Sequence, residues 1–147
     1  MDDRRQSGYT LIELLLTIAL VGIFSRLATP SFRTIIEQAQ LRSSAETLVA
    51  DMRQARMNAI QSGINQSMSF STARWCYADN CTDFSTVSLS RFAFGGGNTI
   101  VFYAQRGFAR NGKLNLTGSA GSQVSIIVSL LGRVRICSAN SSVYTSC

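Results

Sequence analysis

From Leu14 to Phe24 the chain carries no charge, and its apolar pattern continues well beyond that run. Tyr9 to Thr29 is mostly apolar, broken only by Glu13 and Arg26. That is about the length, roughly 20 residues, of a helix that crosses a bilayer. Arg4 and Arg5 precede it and favour a cytoplasmic start. Arg26 lies near the far end, where a long cationic side chain reaches the interface. An ordinary secretory signal places its small residue after the apolar run, whereas Gly8 precedes it. Beyond Pro30 the apolar positions are Phe32, Ile35, Ile36, Ala39, Ala45, Leu48, Val49, Met52, Ala55, Ala59 and Ile60. Spacings of three and four predict an amphipathic helix over 32–62, with Gly63 as its stop. Joined, the two halves make a helix of about 80 Å at 1.5 Å per residue. A small domain needs no such length, so the helix projects beyond it, and Pro30 predicts a kink.

After Gly63 the period changes. Short segments rich in β-branched and aromatic residues occupy 64–72, 87–94, 99–105, 113–117, 123–131 and 133–137. Gly-Gly-Gly-Asn at 95–98, Asn-Gly at 111–112 and the Gly/Ser-rich 117–122 separate them as turns. Residues 77–86 and 138–146 read as loops. The fold class is therefore α+β: a long N-terminal helix whose second half covers an antiparallel β region over 64–147. The organisation reads as a polar segment 1–8, a membrane helix 9–31 and a globular domain 32–147.

The chain contains no histidine. This removes the usual general base and metal ligand, and the Ser–His and Cys–His nucleophile pairs. With no clustered acids and no nucleotide-binding loop, no enzyme, cofactor or metal is expected. The cysteines, Cys76, Cys81, Cys137 and Cys147, lack C-x-x-C spacing and suggest two disulfides in an oxidising compartment. Three pairings are possible. Cys76–Cys81 and Cys137–Cys147 are favoured because each closes a short local loop.

Charge is unevenly distributed. Lys and Arg number 14 against 8 acids, a formal charge of +6. Residues 84–147 hold Arg91, Arg106, Arg110, Lys113, Arg133 and Arg135 and no acid, so this part carries the whole net charge. Such a field attracts polyanions or anionic membrane surfaces. A carboxylate at Glu13, inside the apolar run, is costly in hydrocarbon unless a cation meets it or it reaches the interface.

The segment GYTLIELLLTIALVGIF resembles the N-terminus of type IV pilins and pseudopilins. The resemblance implies cleavage by a prepilin peptidase after Gly8 and methylation of the new N-terminus at Tyr9, where the family more often has Phe. It also implies that Glu13, five residues into the mature chain, meets a neighbouring subunit's amino group during filament assembly. Residues 41–63 resemble the helix of FimT-type minor pilins and H-type minor pseudopilins, which share a domain type. Gly132-Arg133-Val134-Arg135 is similar to the G-R-x-R motif of the FimT kind, where it is linked to DNA binding in natural transformation.

Residues alternate along a strand, so Arg133 and Arg135 project to one side, about 7 Å apart at their bases, with Val134 and Ile136 on the other. Two rigid guanidinium forks at that spacing suit phosphate oxygens. Gly132 permits a tight turn or a positive φ before them. An ordinary charged edge strand is the competing explanation. Arg106, Arg110 and Lys113 flank a turn and could extend the patch or simply solvate a hairpin tip. Arg74 and Arg91 are weaker candidates, and Trp75, Tyr77 and Phe108 are either base-stacking or core residues. Two functions fit this pattern. One is a minor pilin that holds double-stranded DNA by its backbone during uptake. It would be anchored in the bacterial inner membrane, its C-terminal domain periplasmic, and then join other pilins in a surface filament. The other is a structural minor pilin or H-type pseudopilin that primes pilus or secretion-pseudopilus assembly without binding DNA.

Overall fold

A computed structural model describes residues 9–84, 87–95, 97–119, 121–139 and 144–147; the side chains of 27–31 and 91–93 lie outside that description. Helix α1 spans Leu11–Ser62, 52 residues, and runs through Pro30. Contacts divide the chain into two compact units, Met1–Ile35 and Ile36–Cys147.

In the first unit, Thr10 caps the helix: its hydroxyl and its carbonyl oxygen both accept from the Glu13 amide, at 3.4 and 3.1 Å. Thr-x-x-Glu at a helix start has the capping-box pattern, and an acid in the first turn is favoured by the helix dipole. Glu13 thus has a local reason for its place that the apolar run alone conceals. Thr17 and Ser25 donate to the carbonyls of Leu14 and Val21, at 2.8 and 2.7 Å, which internally satisfies two polar side chains of the run. Among the described residues no helix is long and apolar enough to cross a membrane. Gly8, the expected cleavage position, precedes the first described residue, and Tyr9 is exposed.

The second unit holds every buried apolar side chain among the described residues. Leu41, Ala45, Leu48, Val49, Met52, Ala55 and Ala59 form the buried face of α1. Burial starts at Leu41, which lies over Gly118, and not at Phe32: Phe32, Ile35, Ile36 and Ile60 are exposed although they continue the apolar spacing. Periodicity marks a face that can be covered; only the extent of the β region decides how much of it is.

Among the described residues, eight strands make two antiparallel sheets. The first has the order β3-β2-β1-β5, from β1 (Gln66–Phe70), β2 (Arg74–Tyr77), β3 (Asn80–Asp83) and β5 (Thr99–Phe102). The second has the order β4-β6-β7-β8, from β4 (Val87–Phe94), β6 (Gly112–Gly118), β7 (Gln123–Val128) and β8 (Val134–Cys137). Met68, Phe70, Trp75, Ile100 and Phe102 from the first sheet and Leu114, Leu116, Ile126 and Val128 from the second join the helix face in one core. The segment 77–86, expected as a loop, contains β3. Cys76 and Cys81 face each other across β2 and β3 and are disulfide-bonded, which holds a hairpin whose β3 side chains are all exposed and give no alternating pattern.

The second disulfide, Cys137–Cys147, ties the C-terminal tail to the end of β8. Tyr144 in that tail donates its hydroxyl to Glu46 Oε1 (3.1 Å), which also accepts from Arg42 Nε (2.8 Å). The hydrogen bond from Arg42, and then that from Tyr144, hold the Glu46 carboxyl below the ordinary range. A carboxyl with a depressed folded-state pKa stabilises the fold above its unfolded pKa, and that contribution is lost as pH falls through the folded value. Acidification below the ordinary glutamate pKa of about 4.3 is therefore expected to release Tyr144, read as a change in its ring resonances. Glu46→Gln should show no such acid-side transition.

Candidate nucleic-acid interface

The second sheet contains no acidic residue, because none occurs after Asp83. Its strand register builds the candidate site. Leu114, Ile126 and Ile136 form one row across β6, β7 and β8 and face the core; the next row, Lys113, Ile127 and Arg135, faces outward. Lys113 and Arg135 are thus two strand spacings apart, about 10 Å, with Ile127 between them. Arg133 stands two residues before Arg135, about 7 Å away along the chain. Both arginines are exposed, whereas Val134 is buried and Ile136 half-buried. Among the described residues neither arginine is in an ion pair; the two ion pairs are Arg42–Glu46 and Arg74–Asp83.

Beside this row lies an open depression of about 820 Å³, lined among others by Gly95, Asn111, Lys113, Ile127, Leu130 and Leu131. Arg110 borders it: its Nη1 would stand 3.3 Å from a β-carbon placed on Gly95. Arg106 is exposed and adopts a left-handed φ of 65°, which is uncommon for a residue with a β-carbon.

The turn between β7 and β8 is held by its own hydrogen bonds. Gly132 N donates to Ser129 O (2.9 Å), and Ser129 N donates to Arg133 O (3.0 Å). Gly132 is buried with φ 70°, and a β-carbon on it would collide with the carbonyl oxygen of Gly107. Its role is therefore close backbone approach as much as turn geometry. Gly107 also has a left-handed φ, 65°, and a β-carbon there would lie 2.8 Å from Ile60 Cδ1. The turn bearing Arg106 and the turn preceding Arg133 are thus packed backbone to backbone.

A residue overlooked in the sequence holds these turns. Arg56 of α1 donates from Nε to Gly107 O (3.1 Å) and from Nη2 to Leu131 O (3.3 Å). A signal for it existed: Arg56 lies four residues after Met52 and three before Ala59, on the edge of the buried stripe. A charge there implies a partner.

Arg74, Trp75 and Tyr77 fall outside the site. Arg74 is paired with Asp83 at 3.0 Å, in the other sheet. The side chain of Arg91 lies outside the described ones. Trp75 is buried, packs tilted against the Phe84 ring and donates its indole N–H to Asp51 Oδ2 (2.7 Å), so it cannot offer a face to a base. The Tyr77 hydroxyl accepts from Asn58 (2.7 Å) and donates to Gln66 (3.3 Å), which makes it a structural link. Phe108 is partly exposed beside the Arg106 turn.

Comparison with known proteins places this geometry in a family. Residues 3–25 match the prokaryotic N-terminal methylation motif. Residues 44–132 match the type II transport protein GspH, a match that ends at Gly132, just before Arg133. The type IV major fimbrial protein FimA of Dichelobacter nodosus is 35% identical over 60 residues, covering 34% of this chain and 38% of that protein. The chain thus aligns with well under half the length of this relative. The minor pseudopilin EpsH from the type 2 secretion system of Vibrio cholerae shares the fold, with a TM-score of 0.59, 14% identity and coverage of 69% of this chain and 99% of that one. With a methylation motif at its start and the GspH match spanning residues 44–132, more than half of its length, the chain belongs to the GspH family of pilin-like proteins.

Proposed function

We propose that this protein is a minor type IV pilin that binds extracellular double-stranded DNA through its phosphates during uptake for natural transformation. The observation that carries the proposal is the pair Arg133, immediately before β8, and Arg135, within it, both exposed, at a sheet without acids. The acids with described partners are engaged elsewhere: Glu46 with Arg42 and Tyr144, Asp51 with Trp75, and Asp83 with Arg74. Lys113 extends the cationic row, and Arg106 and Arg110 flank it. Phosphate contacts of this kind position a duplex and read little sequence.

The N-terminal segment fits the same proposal. Gly8 is the cleavage position, Tyr9 the methylated residue, and 9–31 the membrane helix. Glu13 is then the partner of a neighbouring amino group in a filament with other pilins. The exposed apolar residues from Leu11 to Ile36 are the surface that membrane and then neighbouring subunits would cover.

A second reading is supported by the GspH match itself, which does not extend to the two arginines. The protein would then be a structural pseudopilin that primes pilus or secretion-pseudopilus assembly. Titrating duplex DNA against the full chain in a non-ionic detergent separates the two. Two to four phosphate contacts predict that log affinity falls with log salt at a slope of about −2 to −4. In cells, loss of DNA uptake with pili intact is the expected deletion phenotype; loss of pili or of secretion would favour the structural reading.

A further inference from the structure

Arg56, on α1, reaches the turns of the site and is half-buried there. Its two described hydrogen bonds go to backbone carbonyls of different turns, Gly107 at 3.1 Å and Leu131 at 3.3 Å. Each carbonyl adjoins a candidate phosphate ligand: Gly107 is next to Arg106, and Leu131 is two residues before Arg133. The turns are joined a second time by Ala109 N donating to Leu130 O (3.1 Å), and Gly132 leaves no room between them. The Arg106 turn is otherwise closed by Gly107 N to Tyr103 O (3.0 Å), Tyr103 N to Phe108 O (2.8 Å) and Ala104 N to Asn65 Oδ1 (2.9 Å). A non-glycine residue held at φ 65° persists only where its surroundings over-determine it, and such residues gather at functional sites.

We propose that Arg56 is a positioning residue, and that by bracing the two turns it fixes Arg106 beside Arg133 as a further phosphate-gripping pair. This deepens the DNA-binding reading and rests on it. Arginine is required because its planar fork offers two donors in fixed geometry, whereas a lysine ammonium is a single point and cannot span both carbonyls with the same constraint. Because the partners are neutral carbonyls, the Arg56 charge is not cancelled and still adds to the field of the turns.

The test uses the full chain in a non-ionic detergent, with a 20-base-pair duplex as probe. Arg56→Lys keeps the net charge. It is expected to weaken binding several-fold and reduce the salt slope by about one, as Arg106→Gln does alone. The double variant should bind about as well as Arg106→Gln, because both changes remove the same contact. Amide exchange at Ala109 should accelerate at least tenfold in Arg56→Lys, while exchange at Ile126 in the core stays unchanged. Arg106→Gln, on an exposed side chain, keeps the test decisive should Arg56→Lys not fold: an unaltered slope in that variant overturns the proposal. So does Arg56→Lys with wild-type binding or wild-type exchange at Ala109, or two effects that simply multiply. A wild-type chain without salt-dependent binding overturns the DNA-binding reading and this proposal together; wild-type binding with any of the preceding results overturns this proposal alone.

Discussion

Replacing Arg133 and Arg135 together with glutamine is expected to flatten the salt dependence of duplex binding by about two units and to weaken binding roughly 10–100-fold near 0.1 M salt. Each phosphate contact contributes about 0.9 to the slope through counterion release, and the affinity lost scales with the same contacts. Both side chains are exposed and in no described ion pair, so the fold should change by no more than about 0.5 kcal/mol. Stability thus serves as an internal control: weaker binding without a change in denaturation midpoint places the effect in the contact. Arg74→Gln is the matched comparison, since it also removes a surface arginine but one bonded to Asp83 in the other sheet. It should leave the slope where it was. A double variant with the wild-type slope would remove β8 from the site and return the protein to a purely structural role.

The helix and the alternation around Arg133 are legible in sequence because each rests on a local period. Val134 buried, Arg135 exposed and Ile136 half-buried is what a two-residue repeat requires. What escapes that reading depends on contacts between distant segments. Burial of α1 begins at Leu41 because the β region reaches only that far, a limit no helical period contains. The β2–β3 hairpin carries no alternating burial because β3 is an exposed edge strand, so its only local mark is the cysteine pair. Trp75 is taken out of contention by Asp51, and Arg56 is brought into the site by carbonyls 51 and 75 residues away in sequence. The Lys113–Ile127–Arg135 row exists only through strand register, which turn lengths and pairing fix jointly.

Gly132→Ala is expected to destabilise the domain by about 2–5 kcal/mol, because two separate costs fall on one methyl group. The first is conformational. An L-residue in the left-handed region costs roughly 1–2 kcal/mol, and Gly132 holds φ 70°. The second is steric. The new β-carbon would run into the Gly107 carbonyl oxygen and come within 2.8 Å of Arg56 Nε. Relieving overpacking of this kind typically costs about 1–3 kcal/mol. The carbonyl cannot yield cheaply, since it is backbone and accepts from Arg56 at 3.1 Å. Gly63→Ala separates the terms. Gly63 has nearly the same φ, 66°, but a β-carbon there meets nothing within 4 Å. It should show the conformational cost alone, about 1–2 kcal/mol. Chemical denaturation of both variants tests the difference. A Gly132→Ala variant no less stable than Gly63→Ala would mean that the two turns do not press on each other, and that Arg106 and Arg133 are not held side by side. Should the expected gap appear, residual DNA binding of folded Gly132→Ala then measures how much the duplex depends on turn placement, since no cation has been removed.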